Sequence, residues 1–428
     1  MVEKTVKYTV QSGLCCGCGI CKGICPVKCI SWGTKNGLYV PNINDSMCVN
    51  CGLCASVCPG LSHSYEPRKT AEETVTGTVL ACFNAWSKVP ELRHISASGG
   101  VISTVVRRLL LSGKYDGAFC LDSYDYREQL KTKLFTAQSI ESCNMPKSRY
   151  LAVSHEDAVI YIKKNRDQRL IFVGTSCAVR ALQAVIKKLN LNREQYLFIG
   201  LFCDKIFNYN VLQYFENTYA HGAKLKALHF KNKESGGWPG DMKFFPENGE
   251  AFYVPITERA KTKDYFMPER CLYCVDKLNV DADISLGDNY TDKNSSPLGS
   301  NSVIIRTKRG MDAWSEVFLE LEAHPVEIAD IQKAQGIEAR LNNLYFGKLK
   351  EKRLRQTPQL NSGVQVVDDY REYERAWISA LKKIECGEQY HIAPQKLLRQ
   401  KKREGKRDLP LTSFIKRIYY YLRRKLIK

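Results

Sequence analysis

The sequence predicts an α+β protein in three parts: a small cysteine-rich module, a larger mixed α/β domain and a basic helical extension at the C-terminus. Three observations predict this organisation. Ten of the 18 cysteines lie before residue 60. Strand and helix patterns alternate from about residue 77, and the final part of the chain is charged with a helical pattern. We place the boundaries at residues 1–66, 77–345 and 346–428.

The composition is that of a globular protein, with 44% hydrophobic and 25% charged residues. A chain of 428 residues has enough apolar side chains for a core, so its 18 cysteines indicate metal binding rather than disulfide bonds. We find no secretory signal and no run of about 18 apolar residues. The predicted location is therefore the cytoplasm.

Two stretches of the cysteine-rich module repeat each other at an offset of 33 residues. Each has the spacing Cys-x-x-Cys-x-x-Cys-x-x-x-Cys-Pro, which starts at Cys15 and again at Cys48. One such loop presents three thiolates to a 4Fe–4S cluster, and in two-cluster bacterial ferredoxins the fourth is the Cys-Pro cysteine of the other repeat. The sequence therefore predicts a ferredoxin-like module with two clusters. The ligand sets are Cys15, Cys18, Cys21 and Cys58 for one cluster and Cys48, Cys51, Cys54 and Cys25 for the other.

A zinc ion held by four thiolates is the alternative, because CxxC pairs also build such sites. Two complete repeats that keep both prolines favour iron–sulfur clusters. Cys16 and Cys29 lie outside the repeated pattern, and we expect neither of them to be a ligand.

The second part begins after a polar segment at Tyr65–Thr76, which we expect to be a linker. A helix is expected from Val101, opened by Ser98-Gly99-Gly100 and closed by Gly113. The region Lys224–Pro255 is more typical of antiparallel strands. Other predicted elements are the strands Thr78–Phe83, Gly117–Leu121, Leu170–Val173 and Tyr196–Phe202 and the helix Ala178–Leu189.

Four further cysteines form a candidate third set. Cys177 follows one predicted strand, and Cys203 follows the next. If these strands are parallel neighbours, their carboxyl ends bring both thiols to one edge of the sheet. Cys271 and Cys274 add a CxxC pair, which makes four ligands in all. The alternative is that these cysteines are small buried hydrophobic residues.

The segment Ser98-Gly99-Gly100 offers free backbone amides at a helix start without bulky side chains. Such a start suits a phosphate or pyrophosphate group. A serine that simply caps the helix is the alternative interpretation.

Several segments occur together in an order that resembles the beta subunit family of coenzyme F-420-reducing hydrogenase and dehydrogenase, over about residues 77–330. The family includes plant and algal hydroxymethyl-chlorophyll reductases, and many bacterial members carry a fused ferredoxin module. The matching segments are Ser98-Gly99-Gly100-Val101, Gly174-Thr175-Ser176-Cys177, Gly200-Leu201-Phe202-Cys203, Cys271-x-x-Cys274-x-Asp276, Ala282–Asp288 and Ser302–Thr307.

The resemblance implies one FAD and a third 4Fe–4S cluster. It assigns that cluster to Cys177, Cys203, Cys271 and Cys274. The family's Gly-(Ser/Thr)-Lys-Tyr segment corresponds to Lys147-Ser148-Arg149-Tyr150, in which Lys147 and Arg149 depart from the family pattern. The implied flavin contacts are Ser98, Gly99, Gly100, Ser148, Tyr150, Gly174 and Thr175.

Clusters carry single electrons, whereas a flavin also accepts a hydride, so the predicted protein couples the two kinds of transfer. The first hypothesis is an oxidoreductase that uses a ferredoxin or other one-electron carrier to reduce a small organic substrate, with polysaccharide biosynthesis as the suggested setting. The second is an electron-transfer subunit that reduces coenzyme F-420 in a hydrogenase or dehydrogenase complex. The third is a non-catalytic electron conduit or redox sensor. No catalytic residue or proton donor is assigned, and His229 and Lys205 are taken as ordinary residues.

The C-terminal extension is strongly basic. Between Lys396 and Lys428 there are thirteen basic residues against two acidic ones, and apolar side chains recur at helical spacing in Leu411–Lys428. The alternatives are a solvated helix, an acidic protein partner and an anionic surface at the inner face of the membrane. Nucleic acid is not expected, since no nucleic-acid-binding fold accompanies the charge.

Overall fold

The computed structural model describes residues 5–61, 71–121, 128–141, 147–262, 266–274, 276–291 and 296–338. The chain divides into two compact units, Met1–Asp368 and Asp369–Lys428, and every described residue belongs to the first. The predicted basic extension at residues 346–428 therefore lies outside the described residues. Among the helices that are described, none is long and apolar enough to cross a bilayer.

The N-terminal module consists of short helices around one β-hairpin. The antiparallel strands β1 and β2 are joined by Asn36-Gly37, which is a common hairpin turn. Gly19 and Gly52, which follow the second cysteine of each repeat, adopt φ values of 72° and 78°, a region that favours glycine. The elements are α1 (Lys7–Gln11), α2 (Ile20–Ile24), β1 (Ile30–Lys35), β2 (Leu38–Ile43) and α3 (Leu53–Ser56).

The larger part is built on a nine-stranded mixed sheet. Its strands are β3 (Ala81–Ser87), β4 (Gly117–Leu121), β5 (Leu130–Phe135), β6 (Val153–Ser154), β7 (Leu170–Thr175), β8 (Tyr196–Leu201), β12 (Ile284–Asp288), β13 (Asn301–Ile305) and β14 (Leu321–Pro325). Their order across the sheet is β14-β3-β13-β12-β8-β7-β4-β5-β6. The central strands β4, β7, β8 and β12 are parallel, and β13, β3 and β14 continue the sheet with antiparallel pairing.

Helices cover this sheet and bury its apolar residues. The helix α6 packs Val105 and Leu109 into one core with Ile171 and Ile199 of the central strands. The helices are α4 (Ala71–Val75), α5 (Pro90–Ile95), α6 (Val101–Leu111), α7 (Ala137–Glu141), α8 (Glu156–Lys164), α9 (Ser176–Lys188), α10 (Asn210–Tyr219), α11 (Ile256–Thr262), α12 (Lys308–Val317) and α13 (Ile328–Ala334).

The predicted antiparallel region at Lys224–Pro255 forms a separate three-stranded sheet. Its strands are β9 (Leu225–Asn232), β10 (Asp241–Pro246) and β11 (Phe252–Val254), in the order β11-β10-β9 with antiparallel pairing throughout. The segments Gly236-Gly237 and Asn248-Gly249 lie between its strands.

Two details differ from the sequence-based expectation. The strand predicted at Thr78–Phe83 runs instead from Ala81 to Ser87, because its pairing with β13 begins at Ala81 and its pairing with β14 continues to Ser87. The predicted linker Tyr65–Thr76 contains α4, whose Val75 is buried against Leu278. Its last part is therefore packed structure rather than linker.

The N-terminal module shares a hydrophobic core with the larger part. Ile20 and Ile24 of α2 lie in the same buried cluster as Val159 and Ile162 of α8. Polar contacts support this packing: Trp32 Nε1 donates to Glu156 Oε2 at 3.1 Å, and Lys22 forms an ion pair with Glu156. The module is thus held in a fixed position against α8.

Candidate functional site

The first cysteine set of the module surrounds a small cavity. Cys15, Cys18, Cys21 and Cys58 all line this cavity, whose volume is about 20 Å³. The backbone N–H of Gly17 points to Cys15 Sγ at 3.4 Å, and the Thr9 hydroxyl lies 3.6 Å from Cys58 Sγ. The fold therefore brings the Cys-Pro cysteine of the second repeat to the loop of the first, as the crossed assignment predicts.

The second set surrounds another cavity of about 20 Å³, which is lined by Cys48, Cys51, Cys54 and Cys25. Cys29 lines the same cavity, and its Sγ lies 3.5 Å from Cys25 Sγ. The structure thus brings together the four predicted ligands and adds a neighbouring thiol that the repeated pattern leaves out.

The chemistry of these cavities fits iron–sulfur clusters. Burial raises the pKa of Cys15 to about 12 and holds that of Cys21 well above its ordinary range. Such thiols become thiolates at neutral pH only when a metal cation offsets the cost of burying charge. Over the described residues, no group of three or more Cys, His, Asp or Glu side chains is arranged to hold a single metal ion. Four thiols that line one cavity are the ligand set that a 4Fe–4S cluster takes.

The third cysteine set is assembled at the carboxyl ends of two parallel strands. β7 and β8 pair in register up to Thr175 opposite Leu201, which confirms the parallel neighbours that the sequence prediction required. Cys177 lies in the first turn of α9 after β7, and Cys203 lies just beyond β8. The backbone N–H of Cys203 donates to Lys277 O at 2.9 Å, which brings the CxxC segment to this edge.

A buried ion pair fixes the segment that carries Cys271 and Cys274. Asp276 is fully buried, and its carboxylate accepts from Arg180 Nη2 at 3.1 Å and from the backbone N–H of Val280 at 3.0 Å. Ser176 Oγ donates to Asp276 O at 2.8 Å. Because Ser176 precedes Cys177, these bonds tie the two halves of the third set together.

One larger cavity of about 280 Å³ lies beside the first and third cysteine sets. Cys18 contributes to its wall from the first set, and Cys177 and Cys203 contribute from the third. Six of the seven residues predicted to contact a flavin also line it, namely Ser98, Gly100, Ser148, Tyr150, Gly174 and Thr175. The fold therefore places the predicted cofactor residues and two cysteine sets around one space.

Gly99 is the one predicted flavin contact that does not line the cavity. A Cβ at this position would lie 2.8 Å from Ala85 O and 2.8 Å from Asn301 Oδ1. Its carbonyl accepts from the backbone N–H of Ser87 at 2.8 Å. Gly99 is thus required for close packing of the loop on β3 and β13, and the neighbouring Gly100 (φ 81°) starts α6.

The cavity wall carries the carboxylates Asp204 and Asp288 and three cations. Lys147, Arg149 and Lys205 line the cavity, so two of these cations are the residues that depart from the family segment. Behind the wall, Lys233 Nζ donates to Ser98 O and to Arg93 O at 2.6 Å each. This arrangement suits an anionic group near the amide end of α6.

Two residues of the site were not found by sequence reasoning. Cys16 is buried, its thiol interacts with those of Cys18 and Cys177, and it lines both the first cysteine cavity and the large one. His155 is buried on the large cavity, its backbone N–H donates to Cys18 O at 2.8 Å, and burial lowers its pKa to about 4. No sequence motif marks either residue, because the place of each on the cavity depends on how the module packs on the sheet.

Family models match three stretches of the chain. The model for the C terminus of the coenzyme F420 hydrogenase/dehydrogenase beta subunit matches residues 167–332, and the model for the N terminus of the same protein matches residues 82–160. Together they cover more than half of the chain. A 4Fe–4S binding domain matches residues 41–60, which contain Cys48, Cys51, Cys54 and Cys58.

Three curated relatives show how far the similarity extends. The F subunit of F(420)H(2) dehydrogenase from Methanosarcina mazei is 25% identical over 319 residues, 74% of this chain and 86% of that protein. The beta subunit of coenzyme F420 hydrogenase from Methanosarcina barkeri is 25% identical over 266 residues, 60% of this chain and 85% of that protein. Coenzyme F420-dependent sulfite reductase of Methanocaldococcus jannaschii is 24% identical over 362 residues, 79% of this chain and 51% of that protein.

The fold also matches a solved structure. A chain of the F420-reducing [NiFe] hydrogenase complex from Methanosarcina barkeri superposes with a TM-score of 0.50 and 21% identity, covering 67% of this chain and 96% of that chain. The architecture agrees with the sequence matches. The chain therefore belongs to the coenzyme F420 hydrogenase/dehydrogenase beta subunit family of oxidoreductases and carries a 4Fe–4S binding domain in its N-terminal part.

Proposed function

We propose that this protein is an electron-transfer subunit that passes electrons between a one-electron donor or acceptor and coenzyme F420, through three 4Fe–4S clusters and a flavin. The proposed ligands are the twelve cysteines of the three sets. The observation that carries the proposal is the cavity of about 280 Å³, which cysteines of two sets and the predicted flavin residues line together.

The choice of coenzyme F420 is supported by relatives whose names contain it, a hydrogenase subunit, a dehydrogenase subunit and a sulfite reductase. Nothing comparable supports a role in polysaccharide biosynthesis. Of the hypotheses drawn from the sequence, the F420-linked electron-transfer subunit is therefore favoured over the reductase of an organic substrate.

FAD is part of the proposal because the residues around the cavity fit it. Bound there, it would supply the exchange between a hydride and single electrons. The amide end of α6 and the cations Lys147 and Arg149 would hold its pyrophosphate, because both features favour an anion. Tyr150 would also contact the bound group, since it lines the cavity and its ring is held by contacts with Arg259 and Phe230.

Apolar side chains and a neutral histidine also line this site. Leu286 and Val173 line the cavity from the central strands, and His155 is neutral at pH 7 because burial lowers its pKa to about 4. The combination of apolar side chains with the cations Lys147 and Arg149 in one cavity suits a ligand that has an apolar ring and an anionic tail.

Anaerobic purification and a redox assay test the proposal. We expect about 12 iron atoms per chain, since three cubane clusters are proposed, together with one FAD. The protein, reduced chemically and freed of reductant, is then expected to reduce coenzyme F420. A matched control is Cys82→Ser, which changes a buried cysteine of β3 outside the three ligand sets and outside the wall of the large cavity.

Other outcomes would contradict the proposal in distinct ways. About 8 iron atoms without flavin would leave a two-cluster electron conduit, which is the third hypothesis. Full cofactor content with no transfer to coenzyme F420, but with transfer to another hydride acceptor, would favour an organic substrate instead.

A further inference from the structure

A buried cation lies between the first and third cysteine sets. Arg270 immediately precedes Cys271 in the 3-10 helix Glu269–Tyr273, and only 2% of its surface is exposed. Its Nη2 donates to Pro59 O at 3.1 Å, and Pro59 directly follows Cys58. The guanidinium therefore extends from the chain segment of the third set to the backbone of the first.

The charge of Arg270 acts on thiols of both sets. Burial is the main cause that raises the pKa of Cys58 and Cys271, and the hydrogen bond with Cys16 is the main cause for Cys177. The positive charge of Arg270 opposes the rise at all three thiols. Arginine stays protonated in proteins, so this is a fixed charge rather than a titrating one.

A fixed positive charge favours the more negative oxidation state of a nearby cluster. Reduction adds one electron to a cluster, and no bond or proton needs to change. A buried guanidinium therefore raises the reduction potential of a cluster close to it, because low local polarity leaves the interaction poorly screened. Hydrogen bonds and charges of this kind are known determinants of cluster potentials.

We propose that Arg270 is a positioning residue that raises the reduction potentials of the first ferredoxin cluster and the third cluster together, so that electrons pass between the module and the flavin domain in either direction. This inference rests on the clusters of the proposed function. One electron leaves one cluster as the other gains it, and Arg270 stabilises the reduced form at both ends of that step.

The test compares cluster potentials in the complete, anaerobically purified protein. The variants are Arg270→Gln, which removes the charge, and Arg270→Lys, which keeps it on a shorter side chain. Arg169→Gln is the matched control, because it removes one guanidinium from the exposed pair with Asp116. Iron and flavin content are measured first, and potentials then come from redox titrations followed by electron paramagnetic resonance, with signals assigned through cysteine variants.

In Arg270→Gln we expect two cluster potentials to fall and that of the Cys25, Cys48, Cys51, Cys54 cluster to stay unchanged. Arg270→Lys is expected to lower the same two potentials by a smaller amount, and Arg169→Gln none of them. Because a purely structural role for Arg270 would not shift two potentials selectively, unchanged potentials at full iron content, or equal shifts of all three, overturn the inference.

If Arg270→Gln does not retain its iron, Arg270→Lys carries the test by itself. A Lys variant with full iron and a lowered pair of potentials supports the inference, and one with no shift or a uniform shift overturns it. A wild-type protein that contains only two clusters would instead overturn the proposed function, so the two failures are distinguishable.

Discussion

At the scale of single residues, the crossed ligand sets predict different roles for two neighbouring cysteines. Cys25 and Cys29 line the same cavity with sulfurs 3.5 Å apart, yet only Cys25 belongs to the repeated pattern. We expect Cys25→Ser to lose about 4 iron atoms per chain, the content of one cubane, whereas Cys29→Ser retains all of them. Iron and acid-labile sulfide measured per chain check both expectations.

The cluster that disappears also matters. The crossed arrangement requires Cys25→Ser to remove the cluster of Cys48, Cys51 and Cys54, while Cys58→Ser removes the other. Loss of the Cys15, Cys18, Cys21 cluster in Cys25→Ser would show that each repeat binds its own cluster, contrary to the arrangement around the two cavities.

Lys233 gives a second prediction at this scale. Burial, followed by the charges of Lys147 and Arg93, lowers its pKa from 10.5 to about 7. A neutral amine still has two N–H donors for its two carbonyl partners. Between pH 7 and 10.5 the unfolded chain holds a proton at Lys233 that the native protein does not, so this residue makes stability rise with pH.

The measurement is the melting temperature from about pH 7 to about pH 9.5, within the window where the two states differ in bound protons, for the wild type and Lys233→Met. We expect the advantage of the wild type to grow as the pH rises, because the variant lacks the titrating group. Lys131→Met, on the exposed face of β5, serves as a control whose difference from the wild type stays constant. A difference for Lys233→Met that stays constant as well would contradict the lowered pKa.

At the scale of elements, the loop before α6 is held by backbone packing. A Cβ at Gly99 would lie 2.8 Å from Ala85 O and 3.0 Å from Asn301 N, and neither backbone atom is free to move away. We expect Gly99→Ala to destabilise the protein by about 1–3 kcal/mol, the usual cost of overpacking, and to lower flavin content because the start of α6 shifts.

Gly113, at the other end of α6, is the matched control. Its φ is +67°, but an added Cβ would meet nothing within 4 Å. Gly113→Ala is therefore expected to cost only about 1 kcal/mol for the left-handed conformation, with flavin content unchanged. Denaturant unfolding and flavin absorbance measure both effects, and equal flavin loss in the two variants would contradict this account of the loop.

The elements also show what the sequence was able to predict. The meeting of Cys177 and Cys203 at one edge of the sheet was predictable because each follows an apolar strand, and parallel strands end at the same edge. The packing role of Gly99 was not, because it depends on the pairing of β3 with β13, which lies far later in the chain. The same holds for Cys16 and His155, whose places on the cavity follow from long-range docking.

At the scale of the whole molecule, the ferredoxin-like module is part of the folded body. Ile20, Ile24 and Val57 are buried in one cluster with Phe119 and Val159 of the larger part. Burial of this kind contributes roughly 1.5–3 kcal/mol for each large apolar side chain. The linker predicted from the polar sequence therefore does not make the module an independent domain, and the module holds a fixed position on the larger part.

Deletion of each end of the chain tests this view. A protein that begins at Ala71 would expose the apolar face of α8 and lose the cavity wall formed by Cys16 and Cys18. We expect it to melt at a lower temperature and to retain less flavin than the full chain. Deletion of Asp369–Lys428 is the matched control, because that compact unit contains none of the proposed ligands. Iron content, flavin content and melting temperature are expected to stay at the level of the full chain in this control. An N-terminal deletion that keeps its melting temperature and its flavin would mean that the module is an appendage to an independent flavin domain.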